Sequence, residues 1–144
     1  MINANELRIG NMIQWKSTGE IDTVGDIMTV GRKNHTINNV NINDCDPIPI
    51  TEQWLLRAGA KKHHHKNDGS MIMDLPEGDD DDSFYIEFLK RKDGKFSIKI
   101  RGDATFDYGS ASIKISDDGY VHTLQNLWHS LTGQELTFTE TITK

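Results

Sequence analysis

The chain has a single cysteine, Cys45, among its 144 residues, so an intramolecular disulfide is excluded. It has no apolar run near the roughly 18 residues that span a bilayer. Its opening, MINANELRIGN, lacks both the basic start and the apolar stretch of a secretion signal. These absences predict a cytoplasmic protein in a bacterial host cell, with no membrane partner. Motifs of catalysis are missing as well. Ser110 and Ser112 follow Gly109 without a G-x-S-x-G, and there is no P-loop or dinucleotide-binding fingerprint. Cys45 sits between Asp44 and Asp46, whose charges suppress a thiolate. The expectation is a protein that is not an enzyme and needs no cofactor or metal.

What is present is an uneven charge. The net charge is −6, yet six acidic residues (Asp74, Glu77, Asp79, Asp80, Asp81 and Asp82) fall in one short stretch without a basic residue. The remaining acidic and basic side chains balance at 16 each. A strongly basic surface for general nucleic-acid binding is therefore not indicated.

The pattern along the chain predicts an α+β fold in two modules, with one continuous domain as the alternative. Residues 1–47 read as short strands punctuated by Gly and Asn: Ile9 to Trp15, Ile21 to Val30, and Ile37 to Ile42. Such punctuation suggests a small barrel-like β module, ended by Pro47 and Pro49. Residues 48–144 read as an α+β module. A helix over 51–58 has Thr51 as N-cap, Ile50 and Leu55 as a hydrophobic staple, and Gly59 as its stop. Antiparallel strands over 60–116 follow, with Asn67-Asp68-Gly69 as one hairpin tip and Asp93-Gly94 as a type I′ turn. Phe84, Ile86 and Phe88 alternate with polar residues, as do Phe96, Ile98 and Ile100, which gives a sheet with one buried face. A last helix over 120–131 carries the stripe Val121, Leu124, Leu127, Trp128 and Leu131 and stops at Gly133. It is the expected cover for that sheet. The tail from Glu135 either adds an edge strand or stays loose.

Three blocks carry a resemblance. They are Glu6-Leu7-Arg8-Ile9-Gly10-Asn11, Ile48-Pro49-Ile50-Thr51-Glu52-Gln53-Trp54-Leu55-Leu56, and Val121-His122-Thr123-Leu124-Gln125-Asn126-Leu127 running on to Leu131-Thr132-Gly133. Together they resemble a family of small uncharacterised proteins carried by Bacteroidetes genomes, their prophages and their phages. The resemblance implies a mobile-element context and lends no chemistry. Residues 61–116 lie outside the blocks, and a particular task of this chain is expected there.

Several side-chain groups invite a function. His63, His64 and His65 alternate faces if they form a strand, so only His63 and His65 could share an ion, and no third ligand is spaced for it. His122 and His129 flank the apolar stripe and read as boundary residues with capping or packing roles. Gly78 to Ser83 lacks the spacing of a calcium loop. Glu77, Asp79, Asp80, Asp81 and Asp82 are the candidate partner-binding residues, suited to a host protein or ribonucleoprotein with a basic surface. Lys90, Arg91, Lys92 and Lys95 cluster at the Asp93-Gly94 hairpin, with Lys99, Arg101 and Tyr85 on its polar face, as a candidate nucleic-acid site. The leading expectation is a phage or prophage interaction protein that inhibits a host defence effector, in the manner of an anti-CRISPR. A virion component and a small RNA- or DNA-binding module are the alternatives.

Overall fold

The computed structural model describes residues 2, 4–30, 34–62, 68–75, 84–102 and 111–139. In chain order the strands and helices are β1 (Met12–Trp15), β2 (Ile21–Thr23), β3 (Ile27–Val30), β4 (Asn34–Ile37), β5 (Val40–Asn41), β6 (Cys45–Asp46), α1 (Glu52–Arg57), β7 (Lys61–Lys62), β8 (Met71–Asp74), β9 (Phe84–Lys90), β10 (Phe96–Gly102), β11 (Ala111–Ser116) and α2 (Val121–Thr132). The fold is α+β, with open antiparallel sheets and a helix packed on strands. Two compact units form. The first joins Met1–Pro49 to Tyr120–Leu136, and the second joins Ile50–Gly119 to Thr137–Lys144. The chain passes between the units after Pro49, after Gly119 and after Leu136.

In the first unit, strands order β2-β1-β6 in one three-stranded sheet and β3-β4-β5 in another. Ile2, Leu7, Ile13, Val24, Ile37, Ile42 and Cys45 form its core, with Trp15 and Ile27 packed against them. Asn38 and Asn39 connect β4 to β5, both with positive φ (50° and 67°). Two left-handed residues between paired strands make the type I′ turn whose twist suits a hairpin, and asparagine tolerates that conformation better than any other side chain except glycine's hydrogen. The Asn38 side chain adds local bonds: its Oδ1 accepts from the Gly25 and Asp26 amides at 2.8 and 3.1 Å, and its Nδ2 donates to the Thr23 carbonyl at 2.9 Å.

Helix α2 belongs to this first unit. The sequence assigned it to the hairpin about Asp93-Gly94, but its principal strand contact is β1. The reason lies in its polar residues. Val121, His122, Leu124 and Gln125 are buried, while Leu127 and Trp128 are half-buried and Leu131 is exposed. The buried side therefore takes in only the first part of the apolar stripe, Val121 and Leu124, and extends past it to His122 and Gln125, the latter bonded to backbone. The Tyr120 cap makes no side-chain bond, and Gly133 closes the helix at φ 73°, its amide donating to the His129 carbonyl.

The second unit holds the five-stranded antiparallel sheet β11-β10-β9-β8-β7. Met71, Met73, Ile86, Phe88, Phe96 and Ile98 alternate onto one face and are all buried. Helix α1 forms as its end signals dictate. Thr51 Oγ1 accepts from the Trp54 amide, and the staple residues Ile50 and Leu55 are both buried. Such a cap contributes about 1 kcal/mol. Residues 137–139 meet neither expectation for the tail: they form no strand and are held against α1. Phe138 meets Trp54 edge-on at 5.2 Å, and the Thr139 amide donates to the Arg57 carbonyl at 2.9 Å. Arg57 in turn lies 4.4 Å over the Trp54 ring.

The Asp93-Gly94 turn differs from the type I′ expected. Among these residues only Gly94 has positive φ, at 85°, and the Gly94 amide donates to the Arg91 carbonyl. Lys92, Asp93 and Gly94 form a three-residue connection with glycine at the left-handed position, the next commonest hairpin solution. Asp93 Oδ1 accepts from the Lys95 amide, a local side-chain bond that braces the turn.

Candidate functional site

The candidate partner-binding residues Glu77, Asp79, Asp80, Asp81 and Asp82 lie outside the described residues, as do His63, His64 and His65. The strands on either side of the acidic segment are described. β8 and β9 pair antiparallel, with Asp74 opposite Tyr85 as the last pair before the connection. Asp74 itself is neutralised, its Oδ2 lying 2.8 Å from the Lys61 ammonium.

The basic hairpin is fully described, and three of its six cations, Arg91, Lys95 and Arg101, are engaged by carboxylates of the same unit. Arg91 reaches Asp118 at 2.8 Å and Asp93 at 3.3 Å, and also donates to the Asp117 carbonyl at 3.0 Å. Lys95 stands 4.0 Å from Asp118. Arg101 lies 3.4 Å from Glu87, whose carboxylate is buried. Lys114 hydrogen-bonds Asp117 and, with Arg91 nearby, holds that carboxyl below its usual range. Lys90, Lys92 and Lys99 have no ion pair among the described residues.

Position divides the basic group further. Lys90, Arg91, Lys92 and Lys95 surround the turn, whereas Arg101 sits opposite Tyr85 toward the far end of β10. At about 3.4 Å per residue the two ends are roughly 17 Å apart. Lys99, Arg101, Tyr85 and Glu87 share one face, as the alternation predicted, but Glu87 is buried and the other three are half-buried. Alternation gave the face correctly and its exposure incorrectly. A face read as solvated carries a buried carboxylate with an arginine beside it.

Sequence reasoning missed a polar bracket in the first unit. Gln125 and Asn126 lie off the apolar stripe of α2, yet they tie it to residues 6–12. Gln125 Oε1 accepts from the Met12 amide at 2.8 Å, and its Nε2 donates to the Gly10 carbonyl at 3.1 Å. Asn126 Nδ2 donates to the Glu6 carbonyl at 2.7 Å, and its Oδ1 accepts from Asn11 and from Arg8 Nε. Arg8 forms a two-pronged pair with Glu135, which holds the Glu135 carboxyl below its ordinary range. Amide side chains that satisfy irregular backbone leave no periodic signal. The one hint was positional, since Glu6, Arg8, Gly10, Asn11, Gln125 and Asn126 fall in the first and third resemblance blocks.

Chemistry in the remainder is sparse. Burial, and then the charges of Asp44 and Asp46, push the Cys45 thiol up to about 11, so it stays protonated. Among the described residues no three His, Cys, Asp or Glu side chains gather as a metal site, and no helix is long and apolar enough to cross a membrane. No family model, curated protein or solved structure matches the chain.

Proposed function

We propose that the chain is a non-enzymatic interaction protein that presents residues 77–82 to a basic surface on a host protein or ribonucleoprotein, and in doing so inhibits a defence effector that handles nucleic acid. The supporting observation is charge segregation. Arg91, Lys95, Arg101, Lys61 and Lys114 are engaged by Asp93, Asp118, Glu87, Asp74 and Asp117 of their own unit. The acidic run between two paired strands has no basic residue within it. A channel lined with Lys and Arg for phosphates attracts carboxylates by the same field. The ion pairing of Arg91, Lys95 and Arg101, half of the hairpin's cations, weighs against the nucleic-acid reading, because a cation already held by a carboxylate releases fewer counterions on binding phosphate. The mobile-element context that makes a defence effector the target rests on the three-block resemblance.

The test is a quadruple variant, Asp79, Asp80, Asp81 and Asp82 each changed to Asn. Tagged wild-type protein should retain a specific partner from a host lysate and inhibit that partner's nucleic-acid cleavage. The variant should lose at least tenfold in both while its thermal midpoint stays about unchanged. Equal retention by the two proteins, or retention that does not weaken between low and physiological salt, would sink the proposal.

A further inference from the structure

His122, the second residue of α2, is 2% exposed, and neither of its ring nitrogens has a hydrogen-bond partner among the described residues. A neutral imidazole carries one donor and one acceptor, and buried polar groups of this kind are normally satisfied. Among the described residues one charged group faces the ring. Glu6, in the 3-10 turn Ala4–Glu6, holds its Oε2 3.6 Å from Nε2, just beyond hydrogen-bond length. The carboxylate side chain is 60% exposed, while the Glu6 carbonyl is fixed by Asn126 at 2.7 Å. The main chain thus parks the carboxylate beside the ring. On another side Tyr120 stacks on the imidazole, the rings 8° from parallel with centroids 5.8 Å apart. The Ile48–Pro49 segment, which bonds to Val121 and Tyr120, brings no titratable group, and Arg8 is occupied by Asn126, Ile9 and Glu135.

We propose that His122 and Glu6 form an acid-responsive latch at the first turn of α2, in which proton uptake by His122 draws the Glu6 carboxylate onto Nε2 and locks the turn Ala4–Glu6 to the helix. Protonation supplies the donor that the present spacing lacks, and a charge-assisted bond of normal length needs the carboxylate to move inward by less than about 1 Å. The stacked Tyr120 ring also tolerates a cation on its face.

The latch limits a loss; it does not create a gain. Burial disfavours the imidazolium and outweighs the opposing influence of Glu6, so His122 titrates below its ordinary range. The positive end of the helix dipole acts in the same direction as burial. The unfolded imidazole therefore takes up its proton first. The folded unit keeps its full stability above the unfolded value of about 6.5 and loses some as pH falls from there through the depressed folded value. With Glu6 in reach, the proton is accommodated inside the folded unit instead of expelling the ring.

The experiment is an NMR titration of the histidine rings in the full chain and in Glu6→Gln, with His122→Asn to identify the resonance. In the wild type the His122 midpoint should lie below the ordinary histidine range, and the Glu6 amide should shift with the same midpoint. In Glu6→Gln the His122 midpoint should fall further and acid unfolding should begin at higher pH, while the other histidines hold their midpoints. A His122 midpoint unmoved by Glu6→Gln overturns the latch, as does one at or above the ordinary range. Should His122→Asn fail to fold, the resonance is identified by its proximity to the Tyr120 ring.

Discussion

Asn11 and Asn126, 115 positions apart in sequence, share a 2.9 Å hydrogen bond from Nδ2 to Oδ1. Asn11 is fully buried, and its own Oδ1 accepts from the Arg8 amide at 2.7 Å. The first and third resemblance blocks thus meet through amide side chains, and the meeting closes the N-terminal unit against α2.

Asn126→Ala should be costly, because it strands the buried Asn11 donor. Leaving buried polar groups unpaired costs about 1–3 kcal/mol, and urea denaturation should show a loss in that range. Asn126→Asp keeps the acceptor and loses the donor to Glu6, so its midpoint should fall between alanine and wild type. Glu135→Gln should shift the midpoint less than either, since the Arg8 pair is solvent-exposed and screened.

The bracket also marks where sequence reading stops. Helix α1 was legible in full, because caps, staple and stop are short-range chemistry carried by Thr51, Ile50, Leu55 and Gly59. The β9–β10 pairing was legible because period-2 alternation survives in any half-buried sheet. The partner of α2 was not. Apolar stripes say that a helix buries something and do not say which surface, and here Gln125 and Asn126 made the choice through bonds to backbone at Gly10, Met12 and Glu6. The burial of Glu87 was hidden for a related reason, since alternation assigns faces but cannot tell which face is covered.

Asn38 separates conformation from bonding. Asn38→Gly retains the positive φ but removes the bonds to Gly25, Asp26 and Thr23. A loss of about 1–2 kcal/mol is expected in chemical denaturation. Asn39→Gly, at the other left-handed position, should be close to neutral, because asparagine and glycine both accept that conformation. Equal losses at the two positions would show that the turn's conformation, and not the Asn38 side chain, is what matters.

Two glycines should respond differently to alanine. A Cβ at Gly119 would stand 2.9 Å from the Phe96 carbonyl oxygen, 3.1 Å from Ile50 Cδ1 and 3.2 Å from Ile98 Cγ1. Backbone cannot yield as a flexible side chain can, so Gly119→Ala should cost about 1–3 kcal/mol. At Gly133 there is open space, and only the φ of 73° opposes alanine, with a cost of about 1 kcal/mol. Thermal melts of the two variants should keep that order.

Cys45 should be inert while the chain is folded. With its pKa pushed to about 11 by burial and by Asp44 and Asp46, the thiolate fraction at pH 8 is on the order of one in a thousand. Iodoacetamide labelling followed by mass spectrometry should be negligible under native conditions and rapid in guanidinium chloride. Rapid native labelling would mean that the first unit opens readily around β6.

The pairing of Pro49 with Tyr120, and of the Ile48 carbonyl with the Val121 amide, has a consequence for biosynthesis. Strands β1 to β6 leave the ribosome first but lack the helix that completes their unit until residues 120–136 have followed. Meanwhile the hairpins of the second unit need only near neighbours in sequence, and closing a short loop costs less entropy than closing one across seventy residues. Both units take their last pieces from the end of the chain, but the stretch translated in the middle is free to form its hairpins early, while the stretch translated first must wait for α2. The N-terminal strands pass through translation with their amide-seeking edge at Gly10 and Met12 open, which makes them the part of the chain most dependent on prompt release.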